Sequence, residues 1–223
     1  MAVPYTDFLP EVLPFCPDVS EPQALNAIRN ACIEFCERTS MWRSSIQIPV
    51  AVGNNFYPLH VDLESVSATI LSIYYGEQLL QSTSEESLNN SSANGDWRIL
   101  EGSPTMFTSD PDTQAFTLSR VPQDVDAGKI MRVRYALRPT RDSEEVGLDY
   151  IYSRWAEVIG HGALSRLYMT MGQPYYNPQA AVSYGNMFAT GVGKARAEVN
   201  NGNGRGQLMV QLRPFARGRT PWR

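Results

Sequence analysis

The chain has 223 residues, 43% of them hydrophobic and 19% charged, with a formal net charge of −4. That composition fits one globular domain with a sizeable core or two small ones, and it excludes a disordered or fibrous chain. No apolar run approaches the ~20 residues of a membrane span, and Met1–Asp7 lacks the basic start and apolar centre of a signal peptide.

Residues 1–19 carry Pro4, Pro10, Pro14 and Pro17 among Phe8, Leu9, Val12, Leu13 and Phe15. Proline at this density prevents a long helix but allows one short turn near Thr6–Val12, with the segment lying against the body. Ser20-Glu21-Pro22-Gln23 then has the form of a capping box. Leu25, Ile28, Cys32, Phe35 and Thr39 step by three and four residues along one helical face, which must bury itself on another element. Cys32 and Cys36 share that helix at a spacing poor for a disulfide, so they read as small buried residues. With only His60 and His161 as further candidate ligands, zinc is rejected.

From about Ser45 to Pro139 the period changes to that of strands. Ile46, Ile48 and Val50 alternate, as do Tyr57, Leu59 and Val61; Ile70–Tyr75 is β-rich and runs into a turn at Gly76-Glu77. Trp97 with Ile99, then Met106 with Phe107, flank the turn at Gly102-Ser103-Pro104. Phe116 with Leu118, and finally Ile130–Leu137 after Asp126-Ala127-Gly128, complete about seven short strands. They predict a small antiparallel sandwich or barrel. The polar run Ser82–Asp96 reads as a mobile loop.

Two more helices follow. Leu148, Ile151, Tyr152, Trp155, Ile159, Leu167 and Met171 mark the apolar face of the first, over 147–172, with Asp142, Glu144 and Glu145 as acids favouring its N-terminus. Gly172-Gln173-Pro174 stops it, and Asn177 and Pro178 supply the N-cap and first position of the second, over 178–200. There Ala181, Tyr184, Phe188, Val192, Ala195 and Val199 line the buried side, leaving Lys194, Arg196 and Glu198 outside. Gly185, Gly191 and Gly193 each cost ~1 kcal/mol relative to alanine in a helix interior. Their presence points to close approach by another element, either a helix of the same chain or a neighbouring subunit.

Beyond Gly202–Gly206, read as a hinge, Leu208, Val210 and Leu212 alternate as in a strand. Arg205, Arg213, Arg217, Arg219 and Arg223 lie there without an acid, leaving 14 of the 19 basic residues against all 23 acids. An acidic body with a basic tail makes the tail a docking candidate.

No catalytic signature emerges: there is no P-loop, nucleophile elbow, HExxH or paired-cysteine pattern. His161, between Gly160 and Gly162, reads as structural in a tight helix crossing. Asp62 with Glu64, or Asp110 with Asp112, is no more than a chance pair of acids. No cofactor and no enzymatic activity is expected.

The ordered features resemble the head-to-tail adaptor (connector) proteins of tailed bacteriophages. They begin with the Pro-rich start, Glu37-Arg38-Thr39 at the first helix end, Trp42, and the turns at Tyr74-Tyr75-Gly76 and, after Trp97, Gly102-Ser103-Pro104. The likeness continues through Val133-Arg134-Tyr135-Ala136-Leu137-Arg138-Pro139, Trp155-Ala156-Glu157 and Gly162-Ala163-Leu164. Gly172-Gln173-Pro174, Asn177-Pro178 and Ala195-Arg196-Ala197-Glu198 complete it. The tail matches only in kind, as an extended basic end.

The resemblance implies a structural protein of the virion, made in the host cytoplasm. It would form a ring, commonly of twelve copies, that bridges the portal to a downstream tail or nozzle protein around the channel for double-stranded DNA. No membrane is involved, and contacts to DNA would ignore base sequence. The expected fold is α+β: a helical ring-forming domain from 1–43 and 140–201, an inserted β-sandwich or barrel from 44–139, and a basic arm from 202–223. The expected portal-binding residues are Leu208, Val210, Leu212, Arg213, Phe215, Arg217, Arg219, Trp222 and Arg223, with DNA phosphates as a rival partner for the arginines. Gly185, Gly191 and Gly193 are the expected subunit-packing positions. The alternative reading of the β region is another tail-completion component or a glycan-binding sandwich.

Overall fold

The computed structural model describes residues 2–59, 61, 64–91, 97–110 and 113–201. The chain opens with β1 (Val3–Pro4) and a 3-10 turn (Tyr5–Glu11), then α1 (Glu21–Thr39), β2 (Arg43–Pro49), β3 (Phe56–Pro58) and β4 (Ser65–Tyr75). It continues through β5 (Gln78–Leu79), β6 (Gln81–Ser82), α2 (Glu85–Ser91), β7 (Met106–Asp110) and β8 (Ala115–Leu118). A 3-10 turn (Asp124–Asp126) precedes β9 (Ile130–Pro139), β10 (Glu145–Val146), α3 (Asp149–Tyr168) and α4 (Pro178–Asn201).

The apolar face of α1 finds its partners far along the chain. Ile28, Cys32 and Phe35 share one buried cluster with Ile151, Ile159 and Leu164 of α3 and with Phe188, Val192 and Ala195 of α4. Burying side chains of this size contributes roughly 1.5–3 kcal/mol each, so the three faces hold one another in place. The Pro-rich start seals the cluster with Phe8, Val12 and Cys16. It is tied down where β1 pairs with β10, Val3 opposite Val146, and where the Tyr5 and Ser143 hydroxyls meet at 3.0 Å.

Helix ends follow local chemistry, with some departures from the sequence reading. The Asn177 side chain accepts the Ala180 N–H at 3.1 Å, capping α4 with Pro178 at its first position. At α1 the capping box is absent: Ser20 makes no side-chain cap bond, and the Gln23 oxygen instead accepts the Tyr175 hydroxyl at 3.3 Å. Helix α3 is shorter than expected. It ends at Tyr168, whose carbonyl accepts the Asn177 N–H, so Met171 falls in the turn and is 79% exposed rather than part of the buried face. Asp142, Glu144 and Glu145 precede the helix, Glu145 lying in β10, and Asp149 is the acid of the first turn.

Apart from the β1–β10 pair, the strands form two four-stranded sheets, ordered β2-β9-β4-β5 and β3-β8-β7-β6. Ile73, Tyr75, Met131, Val133 and Tyr135 of the first pack with Tyr57, Phe107, Phe116 and Leu118 of the second in one buried cluster. The arrangement is an open sandwich, not a closed barrel. Gly76, with φ of 61°, turns β4 into β5. Two expectations fail in the segment between β6 and β7. These strands run parallel, which requires a crossover. The crossover contains α2, anchored by buried Leu88, where a loop was expected, and Trp97–Ile99 is a turn rather than a strand.

Candidate interaction surfaces

Glycine sets the spacing of the helical hairpin. A Cβ on Gly162 of α3 would lie 2.8 Å from the Phe188 ring and 3.1 Å from the Ala31 Cβ, so both other helices press on that point. Gly160 lies equally close to Glu11 of the N-terminal segment. His161 between them lies against Tyr184 in a tilted arrangement, with ring centroids 5.6 Å apart.

The three expected subunit-packing glycines have different surroundings. Gly191 faces Val158 of α3 at a distance that leaves no room for a Cβ, so its close approach is made within the chain. Gly185 lies beside Ser165, with 3.1 Å from a built Cβ to the hydroxyl oxygen. Gly193 has nothing within 4 Å. Gly191, not Gly193, lines an open groove of about 600 Å³ together with Trp155, Val158, Met187, Thr190 and Lys194. At the C-terminal end of α4, Glu198 accepts the Tyr150 hydroxyl and pairs with Arg154 at 2.8 Å.

Exposed apolar side chains are scattered over several elements, among them Phe56, Leu71, Leu79, Val182 and Met187, and they gather at two places. One is the turn between α3 and α4, with Met169, Met171 and Tyr176, adjoined by Phe15, whose carbonyl accepts the Tyr168 hydroxyl. The other is the set of loops at the far end of the sandwich, with Val52, Ile99, Leu100, Val125 and Ile130. Tyr175 ties the first to the start of α1, and α1 leads into β2, whose last pair, Pro49 with Ile130, lies at the second. Along the chain, the 19 residues of α1 and the seven of β2 lie between the two places.

A buried carboxylate holds the distal loops together. Asp126 is fully buried and accepts bonds from the Ser103 hydroxyl at 3.1 Å, the Gln123 N–H at 3.4 Å and the Lys129 ammonium at 2.6 Å. Burial pushes its carboxyl up, but the bonds from Lys129, Ser103 and Gln123 together with the Lys129 charge outweigh that and hold it below the ordinary carboxylate range. The Gly102-Ser103-Pro104 and Asp126-Ala127-Gly128 motifs read as separate turns in sequence; their pairing in space was the part that sequence did not reveal.

Cys32 and Cys36 are fully buried thiols. Burial, then the charge of Glu37, pushes Cys36 up to about 12, so it stays protonated and is not a nucleophile. Among the described residues no group of three or more His, Cys, Asp or Glu could hold a metal, and no helix is long and apolar enough to cross a membrane. Leu208, Val210, Leu212, Arg213, Phe215, Arg217, Arg219, Trp222 and Arg223 lie outside the described residues, as do His60, Asp62 and Asp112.

The chain thus combines a helical cluster with a two-sheet sandwich, each carrying exposed apolar side chains. A family model described as SU10 adaptor protein matches residues 3–212, and the chain belongs to that family. The resemblance to head-to-tail adaptors of tailed bacteriophages is thereby borne out: this is a phage adaptor protein, a component of the virion. No curated protein matches the chain.

Proposed function

We propose that copies of this chain form a ring, of twelve in the usual adaptor arrangement, that docks under the portal and links it to a tail or nozzle protein around the DNA channel. Residues 1–43 and 140–201 act as the ring-forming domain, 44–139 as an inserted β domain, and 202–223 as an arm toward the portal. The protein works by binding and not by catalysis. The observation that carries the reading is the pair of exposed apolar patches, one on the α3–α4 turn of the helical cluster and one on the loops of the sandwich cluster. A linker between two larger assemblies needs two such surfaces, since apolar patches rimmed by polar residues mark interaction sites.

The domain division is supported by the two buried clusters, one drawn from segments on both sides of the β region and one lying within it. Mass measurement tests the proposal. Purified protein is weighed alone and after mixing with DNA-free portal rings, and a ring of adaptor copies bound to the portal is expected. Protein that remains monomeric and unbound at saturating portal would count against both the ring and the docking.

A further inference from the structure

One face of the first sheet carries cations that the described chain does not neutralise. Arg132 and Arg134 are alternate residues of β9 and therefore point to the same side. Register places Gln47 beside Arg132, Ser45 beside Arg134 and Arg43 beside Ala136, so Arg43 continues the row on the neighbouring strand. All three arginines are exposed. Along the sheet, guanidinium-bearing positions recur about every 7 Å.

Five arginines find carboxylates: Arg38 and Arg166 pair with Glu34, Arg98 with Glu85, Arg138 with Glu37, and Arg154 with Glu198. Arg29, Arg120, Arg141 and Arg196 have no carboxylate within ion-pair distance among the described residues either, but they are dispersed over other elements and do not form a row. Among the described residues no carboxylate lies within ion-pair distance of Arg43, Arg132 or Arg134. Arg43 donates from Nε to the Ser40 carbonyl at 3.0 Å, and Arg132 lies over the Tyr74 ring, 5.4 Å from its centroid. Partial burial, then the neighbouring Arg134 charge, lowers the pKa of Arg43. A groove of about 440 Å³ is lined by Arg132, Arg134 and Tyr74, with Ser45 and Gln47 offering further donors; Arg43 lies outside it, at the end of the row.

An acidic chain that gathers unpaired arginines on one flat face has left them for an external anion. The kind of anion follows from the rest of the face. Protein–protein interfaces also enrich arginine, but around a core of apolar and aromatic anchors and with serine depleted. Nucleic-acid interfaces are more polar, more positive and wetter, with donors directed at phosphate oxygens. Arginine, serine and glutamine, with Tyr74 and Ile46 as the apolar minority, match the second pattern.

We propose that the Arg43–Arg132–Arg134 face of the β2–β9 sheet binds the phosphate backbone of nucleic acid without reading its sequence. This names a DNA-facing surface for the channel reading and rests on that reading only for the source of the phosphate. Three phosphate contacts would give log K a slope of about −2.7 against log salt on duplex DNA.

The test uses the full chain and a labelled duplex of mixed sequence, with anisotropy followed between about 50 and 200 mM salt. Arg43→Gln, Arg132→Gln and Arg134→Gln together are expected to weaken binding at least tenfold at the lower salt and to flatten the slope by about 2–3. Arg132→Gln alone should give about a third of that flattening, and it covers the case in which the triple variant fails to fold. Replacing Arg205, Arg213, Arg217, Arg219 and Arg223 with Gln should leave a salt-dependent component that the sheet variants remove.

Unchanged affinity and slope in both sheet variants would overturn the proposal, as would absence of wild-type binding at the lower salt. Loss of all binding in the arm variant would do so too. Poly-glutamate that displaces the duplex at equal charge concentration would overturn it in favour of an acidic protein surface. Ring mass is measured on the same samples: variants that form rings but bind no duplex separate this surface from assembly, and a chain that binds duplex but never forms rings sinks the ring reading alone.

Discussion

Gly191 of α4 meets Val158 of α3 so closely that a Cβ there would lie 2.5 and 2.6 Å from the two valine methyl carbons. A valine cannot swing aside as a long side chain can, so a methyl group at this point must push the helices apart. Gly191→Ala is therefore expected to destabilise the fold by about 1–3 kcal/mol, the usual cost of overpacking, despite the better helix propensity of alanine. Gly193→Ala has open space and should gain up to about 1 kcal/mol, raising the melting temperature by about 2–4 °C. Thermal melts check both signs. Gly191→Leu should lose ring assembly together with stability. Loss of assembly by Gly193→Ala at raised melting temperature would assign that glycine to a subunit contact.

Asp126 yields a prediction with a defined pH dependence. Its carboxyl is held below the ordinary range in the folded protein, so it binds protons less readily there than in the unfolded chain. The stabilisation is thus fully present above the unfolded value near 3.9 and is lost as pH falls through the folded value. Asp126→Asn should cost roughly 1–3 kcal/mol at neutral pH, since it weakens the charge-assisted bonds from Lys129, Ser103 and Gln123. Denaturant melts at pH 7 and about 3 should show the gap between wild type and variant closing at the lower pH. A gap that stays constant would mean that the carboxylate charge is not what holds the loops.

Much of the fold was legible because its signals are local. The steps of Ile28, Cys32 and Phe35, and the Asn177-Pro178 start, specify helices whatever surrounds them. Alternation at Ile46, Ile48 and Ile130–Leu137 does the same for strands. What stayed hidden depends on distant partners. Gln23 had the right spacing for a capping box, but Tyr175, far along the chain, engages its side chain. The crossover helix α2 is polar except for Leu88, so its placement comes from one buried leucine rather than from a periodic face. Arg132 and Arg134 were visible as alternate residues. Their isolation from every described carboxylate appears only once the strands are paired.

The domain proposal predicts how the chain responds to excision of its middle. The Trp42 carbonyl oxygen accepts the Leu137 N–H at 2.7 Å, so the chain leaves and re-enters the helical part at nearly the same place. Deleting 44–139 and closing the gap with a short linker should leave protected amides in α1, α3 and α4. The deletion removes the Glu37–Arg138 ion pair, a partly exposed contact of about 1 kcal/mol at most, and keeps the helical cluster intact. Hydrogen exchange is the measurement. Loss of protection throughout the helices would show that the two clusters fold only together.

The arm supplies the last prediction. The family match runs to residue 212 and so takes in Leu208, Val210 and Leu212, while Arg213, Phe215, Arg217, Arg219, Trp222 and Arg223 lie beyond it. If this arm is the principal portal-docking element, its two kinds of residue divide the work. Arginine forks suit two-point pairing with carboxylates on the portal, yet exposed pairs contribute only ~0–1 kcal/mol each, so charge steers and orients. Phe215, Trp222 and the alternating apolar residues would supply most of the affinity, as buried aromatic anchors do at interfaces. Full-length protein and a chain ending at Gly206, each mixed with DNA-free portal rings, separate docking from phosphate binding. The shortened chain should bind at least tenfold more weakly, and Phe215→Ala with Trp222→Ala in the full chain should lose more affinity than Arg217→Gln with Arg219→Gln. Raised salt should slow association of the full chain more than it hastens dissociation. Undiminished portal binding by the shortened chain would remove the arm from the portal interface, and duplex binding lost with the arm would reassign its arginines to DNA.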